Sequence, residues 1–238
     1  MQYCGGAIGQ FIPYINKRLI EEKNVFSLDF FKREEDEKKL NYKLIIIMAL
    51  IYVAILYTCK IQFDFIKDLR LLRYSILAPM LVSAFMIDYK LQIIPNRLNL
   101  TMFEVGLAFV FLYGCFVNLE VAKDMLLGGI VGAGIFLVIT FIGGLIAGKE
   151  AMGFGDVKLM GAMGLYFGMV NIITIAVISF LLGAIISIVL LATKKRKTDE
   201  YIPFGPFIVM AAFTVIYVPF NIILLVLLKV FSLGLYKG

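Results

Sequence analysis

LMGAMGLYFGMVNIITIAVISFLLGAIISIVLLAT, residues 159–193, runs for 35 residues without an Asp, Glu, Lys or Arg. A bilayer core about 30 Å thick takes about 20 apolar residues of helix, so the run is too long for one ordinary span. Gly168-Met169-Val170-Asn171 supplies turn chemistry inside it. Splitting there gives a short helix over 159–168, which must sit inside a bundle, and a second over 171–193 that is long enough to cross. Working outward, the other charge-poor segments are 1–16, 44–59, 74–87, 98–118, 125–148 and 201–228. The expected fold is all-α, a polytopic membrane helix bundle of about eight spans.

Composition agrees and removes several chemistries. The 238 residues are 61% hydrophobic and 17% charged, where soluble domains average about 45–50% and about 25%. There is no His, which excludes Ser–His and Cys–His pairs, imidazole bases and most catalytic zinc sites. Cys4, Cys59 and Cys115 stand apart, in or beside apolar segments. They make no four-Cys zinc site and no disulfide framework, and are expected as small buried apolar side chains. No metal site is expected, and any hydrolysis falls to carboxylates.

Orientation follows from basic residues. Segments 17–43, 89–97, 149–158 and 194–203 hold 16 Lys and Arg, whereas 60–73, 119–124 and the C-terminal end hold 7. The richer set should face the cytoplasm, with Lys194-Lys195-Arg196-Lys197 as its firmest anchor and both termini outside. The net charge of +6 is then a topology signal. No interleaving of aromatic and basic residues suggests nucleic acid, so membrane lipid is the expected surroundings. The first apolar run has no basic residue before it, so no cleavable signal peptide is expected. The layout reads as a first span over 1–16, a cytoplasmic loop over 17–43 with a solvated mixed-charge run, and a membrane domain over 44–238.

Three acids lie within or against apolar spans: Asp88, Glu104 and Asp156. An Asp at mid-helix costs about 2.5–3.5 kcal/mol to insert, so such acids point to function. Asp88 closes the segment 74–87 and Asp156 opens the one beginning near 157, both at expected cytoplasmic helix ends. Gly153-Phe154-Gly155 before Asp156 lets the backbone bend and another chain approach. Pro95, in Ile93-Ile94-Pro95-Asn96, pushes Ile94 into an extended conformation. Irregular backbone at membrane depth is tolerated where it is buried in protein or lines a watery cavity. Two carboxylates there can share a proton, one drawing a proton from water while the other polarises a peptide carbonyl. The competing reading has each Asp cap a helix or pair with Lys90 or Lys158. Glu104, about 9 Å inside its span, would join the cavity or face a neighbouring helix.

Four stretches, in order, resemble a known family. They are Gly9-Gln10-Phe11-Ile12-Pro13-Tyr14-Ile15-Asn16-Lys17-Arg18-Leu19; Asp88 with Ile94-Pro95-Asn96; Glu150-Ala151-Met152-Gly153-Phe154-Gly155-Asp156-Val157-Lys158-Leu159; and Ile202-Pro203-Phe204-Gly205-Pro206-Phe207. The set resembles the type IV prepilin peptidases, membrane aspartyl proteases of the Gly-x-Gly-Asp class. The resemblance implies Asp88 and Asp156 as the catalytic pair, with Gly153, Gly155, Lys158, Pro95 and Asn96 as supporting motif. It implies prepilin and pseudopilin substrates of type IV pilus and protein secretion systems. Their short basic leader is cut after a Gly, on the cytoplasmic side of the plasma membrane. Lys158 would orient Asp156 or anchor the interface, and Pro203-Phe204-Gly205-Pro206 reads as a helix-opening turn. Many members carry paired Cys in the first cytoplasmic loop and also N-methylate the trimmed pilin with S-adenosylmethionine. Residues 17–43 contain no Cys, so that metal site is absent and methyl transfer lacks its usual accompaniment.

Two rivals remain at this level. One is another peptidase of the same class, resembling preflagellin peptidases or presenilin-like enzymes. The other is an ion- or proton-coupled transporter using the paired aspartates, but no internal repeat relates the regions of Asp88 and Asp156 as such folds commonly show. Oligomeric state is not written in the sequence.

Overall fold

The computed structural model describes residues 12–21, 42–59, 65–147, 152–193 and 202–232. Among these, every regular element is a helix: α1 (12–20), α2 (Tyr42–Cys59), α3 (Phe65–Leu91), α4 (Asn96–Phe116), α5 (Leu119–Ala147), α6 (Phe154–Ala192), α7 (Gly205–Tyr217) and α8 (Phe220–Phe231). By length and composition, five of them, α2 to α6, can cross a membrane. The chain is a polytopic all-α membrane protein.

Helix α2 shows why lipid must surround it. Leu44, Met48, Tyr52, Ile55 and Cys59 recur at helical spacing and are buried, while Ile46, Ile47, Leu50, Val53 and Tyr57 on the other flank are apolar and exposed. A helix that is apolar all round has no face for water. Its neighbour α3 carries Pro79 in mid-helix. Proline has no N–H to give the carbonyl four residues earlier, and the Tyr52 hydroxyl donates to that Ser75 carbonyl at 2.8 Å. A side chain from the next helix thus satisfies a backbone group that lipid could not.

The 159–193 run is a helical hairpin. Every residue from 159 to 168 is buried, as a short piece inside a bundle requires. Gly168 has φ 75° and ψ 175°, which breaks α6 into two arms in a region that favours glycine. The Met160 carbonyl and the Ile172 side chain both crowd Gly132 of α5, so the two arms meet the same level of that helix and the chain doubles back. The expected four-residue turn is a single residue. Asp124, in the first turns of α5, accepts a hydrogen bond from the Met169 N–H at 3.2 Å and so caps the returning arm. A Cβ on Gly128 would lie 2.5 Å from the Gly164 carbonyl oxygen. Such small faces allow backbones in a membrane to approach closely.

Several expectations need correction. Segment 60–73 is not all loop, because α3 begins at Phe65. Arg73 is buried there, its guanidinium 4.9 Å from the Tyr74 ring and 5.1 Å from the Tyr113 ring. Residues 119–124 are the start of α5, and 17–20 continue α1. Segment 201–228 is not one rod: Val218 is extended (φ −101°, ψ 127°) ahead of Pro219, the conformation proline imposes on its predecessor. Cys59 is buried as expected, but Cys115 is exposed. Cys4, Glu150 and the basic run 194–197 lie outside the described residues.

Candidate active site

Asp88 occupies the last turn of α3. The Gln92 N–H donates to the Asp88 carbonyl at 2.8 Å, and Gln92 takes φ 57°, the left-handed conformation that commonly terminates a helix. The chain then runs extended to Pro95 (φ −59°, ψ 133°), and α4 starts at Asn96. On the other side, the Asp156 N–H donates to the Gly153 carbonyl at 3.0 Å in the first turn of α6. The end of α3 and the starts of α4 and α6 thereby meet at one end of the bundle. They enclose a cavity of ≈ 650 Å³ lined by Asp88, Gln92, Ile94, Asn96, Gly153, Gly155, Asp156 and Lys158, among others. Each aspartate is 3% exposed.

Three contacts tie the two motif loops together. A Cβ on Gly155 would come within 3.3 Å of the Ile94 Cβ, so glycine permits the approach. The Gly155 carbonyl accepts from Asn99 Nδ2 at 3.2 Å. Lys158 Nζ donates to Asn96 Oδ1 at 2.7 Å and sits 5.2 Å from the centre of the Phe154 ring. Lys158 therefore ties α6 to α4 instead of pairing with Asp156, and Pro95 sets the turn that offers Asn96 to it.

The aspartates differ in how they are held. Asp88 Oδ2 accepts from the Gly205 N–H at 2.8 Å, so the N-terminus of α7 points at this carboxylate. A Cβ on residue 205 would lie 2.6 Å from that oxygen. Phe204 anchors the start of α7 among Phe136, Phe180 and Phe207, with ring centres 5.9, 5.1 and 5.8 Å away. Pro203-Phe204-Gly205-Pro206 opens a helix, as its prolines indicate, and also grips Asp88, a role the sequence reading did not give it. The Asp156 carboxyl makes no hydrogen bond or ion pair to any described residue. Neither aspartate pairs with Lys90 or Lys158. Two carboxyl groups facing one cavity can supply a proton acceptor and a proton donor to a bound substrate.

Other expected residues fall elsewhere. Glu104 is exposed on α4 and does not line this cavity. Pro13, Asn16 and Lys17 line a separate cavity of ≈ 280 Å³ with Met86, Ile87 and Lys90 of α3, which sets the N-terminal motif beside the helix end bearing Asp88. Among the described residues no three His, Cys, Asp or Glu cluster as metal ligands. Gln92, Asn99 and Gly205 are the residues sequence reasoning missed. A polar Asn inside an apolar span was a usable signal, whereas nothing local marks the positive φ of Gln92.

Residues 75–188 match the family model described as type IV leader peptidase family. Over this region, just under half of its length, the chain is similar to the type IV leader peptidase family. Proteins named prepilin leader peptidase/N-methyltransferase are similar to it. The one from Xanthomonas campestris pv. campestris is 34% identical over 143 residues, which are 60% of this chain and 48% of the relative. That of Legionella pneumophila is 34% identical over 128 residues (54% and 43%), and that of Pseudomonas aeruginosa 30% over 131 (55% and 44%). The chain spans about half the length of these relatives. No solved structure matches it. Both aspartates fall inside the matched region, whereas Gly205 lies beyond it.

Proposed function

We propose that this chain is an intramembrane aspartyl endopeptidase that removes the short basic leader of type IV prepilins or pseudopilins. Asp88 and Asp156 are its catalytic pair. The observation that carries the reading is their common cavity: two buried carboxyls, 68 residues apart in sequence, at one end of the bundle, neither of them in an ion pair with a described residue. The matched family and the names of the relatives support the substrate class. Lys and Arg counts support a plasma-membrane protein with this end toward the cytoplasm and both termini outside. The count of about eight crossings takes the α6 hairpin as two, and the peptidase domain as 44–238, after a span at 1–16 and a loop at 17–43.

In the mechanism, a water enters between the carboxyls and the scissile peptide. The ionised carboxylate takes a proton from the water as its oxygen bonds to the carbonyl carbon. The protonated partner donates to the carbonyl oxygen. When the tetrahedral adduct collapses, the C–N bond breaks and a proton passes to the leaving amine. Because the Gly205 N–H occupies Asp88 Oδ2, Oδ1 is the Asp88 oxygen left to exchange protons.

The test incubates the purified protein in detergent with a prepilin and follows leader loss on a gel. Asp88→Asn and Asp156→Asn should each slow cleavage by about 10²–10⁴-fold while leaving the protein's thermal transition in place. Cleavage at the parent rate in either variant overturns the pair. Labelled S-adenosylmethionine, added as a second substrate to the same reaction, reads methyl transfer separately from leader loss.

A further inference from the structure

A second recess opens on the membrane-facing side between α4, α5 and the first arm of α6, an apolar groove of ≈ 730 Å³. Leu100 and Leu107 line it from α4, and Leu126, Ile130 and Leu137 from α5. From Leu126 to Leu137 it follows α5 for about 16 Å, or three helical turns. Its end is shared: Asn96, Phe154 and Lys158 line both the groove and the aspartate cavity. One path therefore runs from an apolar trough at membrane depth into a polar chamber holding two carboxyls. Asn99 also lines the groove; it is 3% exposed, and its Oδ1 has no hydrogen-bond partner, although its Nδ2 holds the Gly155 carbonyl next to Asp156.

We propose that this groove seats the apolar stem helix of the substrate while the extended leader passes over Phe154 and Lys158 into the aspartate cavity, an assignment that rests on the peptidase reading above. The continuity of trough and chamber selects the occupant. A lipid chain satisfies the apolar trough alone, whereas a single-helix membrane protein has an apolar stem joined directly to a polar peptide. Seating the stem also fixes the register of the chain, so that the bond at the stem boundary meets the carboxyls.

Cross-linking tests this without depending on cleavage. In an Asp156→Asn background with Cys4, Cys59 and Cys115 replaced by Ala, single cysteines are introduced as Ile130→Cys or Leu137→Cys in the groove and Ile188→Cys on the exposed face of the second α6 arm. The probe is a full-length prepilin with one cysteine walked along its stem. The expected result is disulfide formation at the groove positions at least about tenfold above Ile188→Cys, recurring about every 3.6 residues along the stem. It should be competed by unlabelled prepilin and not by a leader peptide lacking the stem. Equal cross-linking at groove and control positions overturns the seat and leaves lipid as its occupant. Cleavage by the parent protein without groove-selective cross-linking refutes the seat and spares the peptidase reading. Groove-selective cross-linking with no cleavage by the parent supports the seat and refutes that reading.

Discussion

The first arm of α6 has an aspartate at each end, and the two are held in opposite ways. At its far end Asp124 is exposed, accepts the Met169 N–H and leaves no room for a side chain on Gly168. At its near end Asp156 is buried, faces a cavity and has a carboxyl with no hydrogen-bond partner among the described residues. An acid whose oxygens are used by the fold stabilises a turn. A buried acid whose oxygens are left free costs stability, and that cost is tolerated where the group reacts. Asp88 lies between these cases, with one oxygen held by the Gly205 N–H and the other without a hydrogen bond to any described residue.

After the aspartate substitutions themselves, the largest effect that would sharpen this contrast is expected from Gly205→Ala. Its Cβ would fall 2.6 Å from Asp88 Oδ2, and shifting a reacting group by about 1 Å can cost about 10²-fold in rate. A cleavage assay on the detergent-purified variant should show that loss, and an unchanged rate would mean that Asp88 does not need its grip on α7. Asp124→Ala should do the reverse. Losing a helix cap costs about 1 kcal/mol of stability, read as a lower thermal midpoint, with cleavage within about twofold of the parent. A loss of cleavage as deep as that of Asp156→Asn would erase the distinction between the two ends. The smallest effect is expected from Lys158→Met, which removes the exposed tether to Asn96 at 2.7 Å and the ammonium beside the Phe154 ring. Loss of one solvated hydrogen bond, about 0.5–1.5 kcal/mol, should slow cleavage a few-fold. A 10³-fold loss would assign Lys158 a direct part in the chemistry.

The site was half legible in the sequence. Asp88 and Asp156 stood out because acids at the ends of apolar runs are costly, and the Lys and Arg counts put both at one membrane face. The hairpin was legible too, since no bilayer accommodates 35 uncharged residues in one straight span and a Gly lay near the required turn. Less could be read where the determinant was shape. Arg73 looked like a loop cation because its charge is visible in the sequence, but the Tyr74 and Tyr113 rings that cover it come from packing. Depth alone left Glu104 either in the cavity or against a neighbouring helix, but its helix turns it outward.

By itself the sequence determined that this is a bundle of membrane helices with an acid at the end of each of two apolar runs, because apolar run length and charge placement are local properties that the bilayer reads directly. Only the tertiary structure decided which atoms meet those acids. The Gly205 N–H reaches Asp88 across 117 residues, the Asn99 amide holds the loop before Asp156 across 56, and Lys158 turns away to Asn96. Each depends on how closely glycine faces let α5, α6 and α7 approach their neighbours. That spacing is set by the packing of whole helices and not by any single stretch of chain.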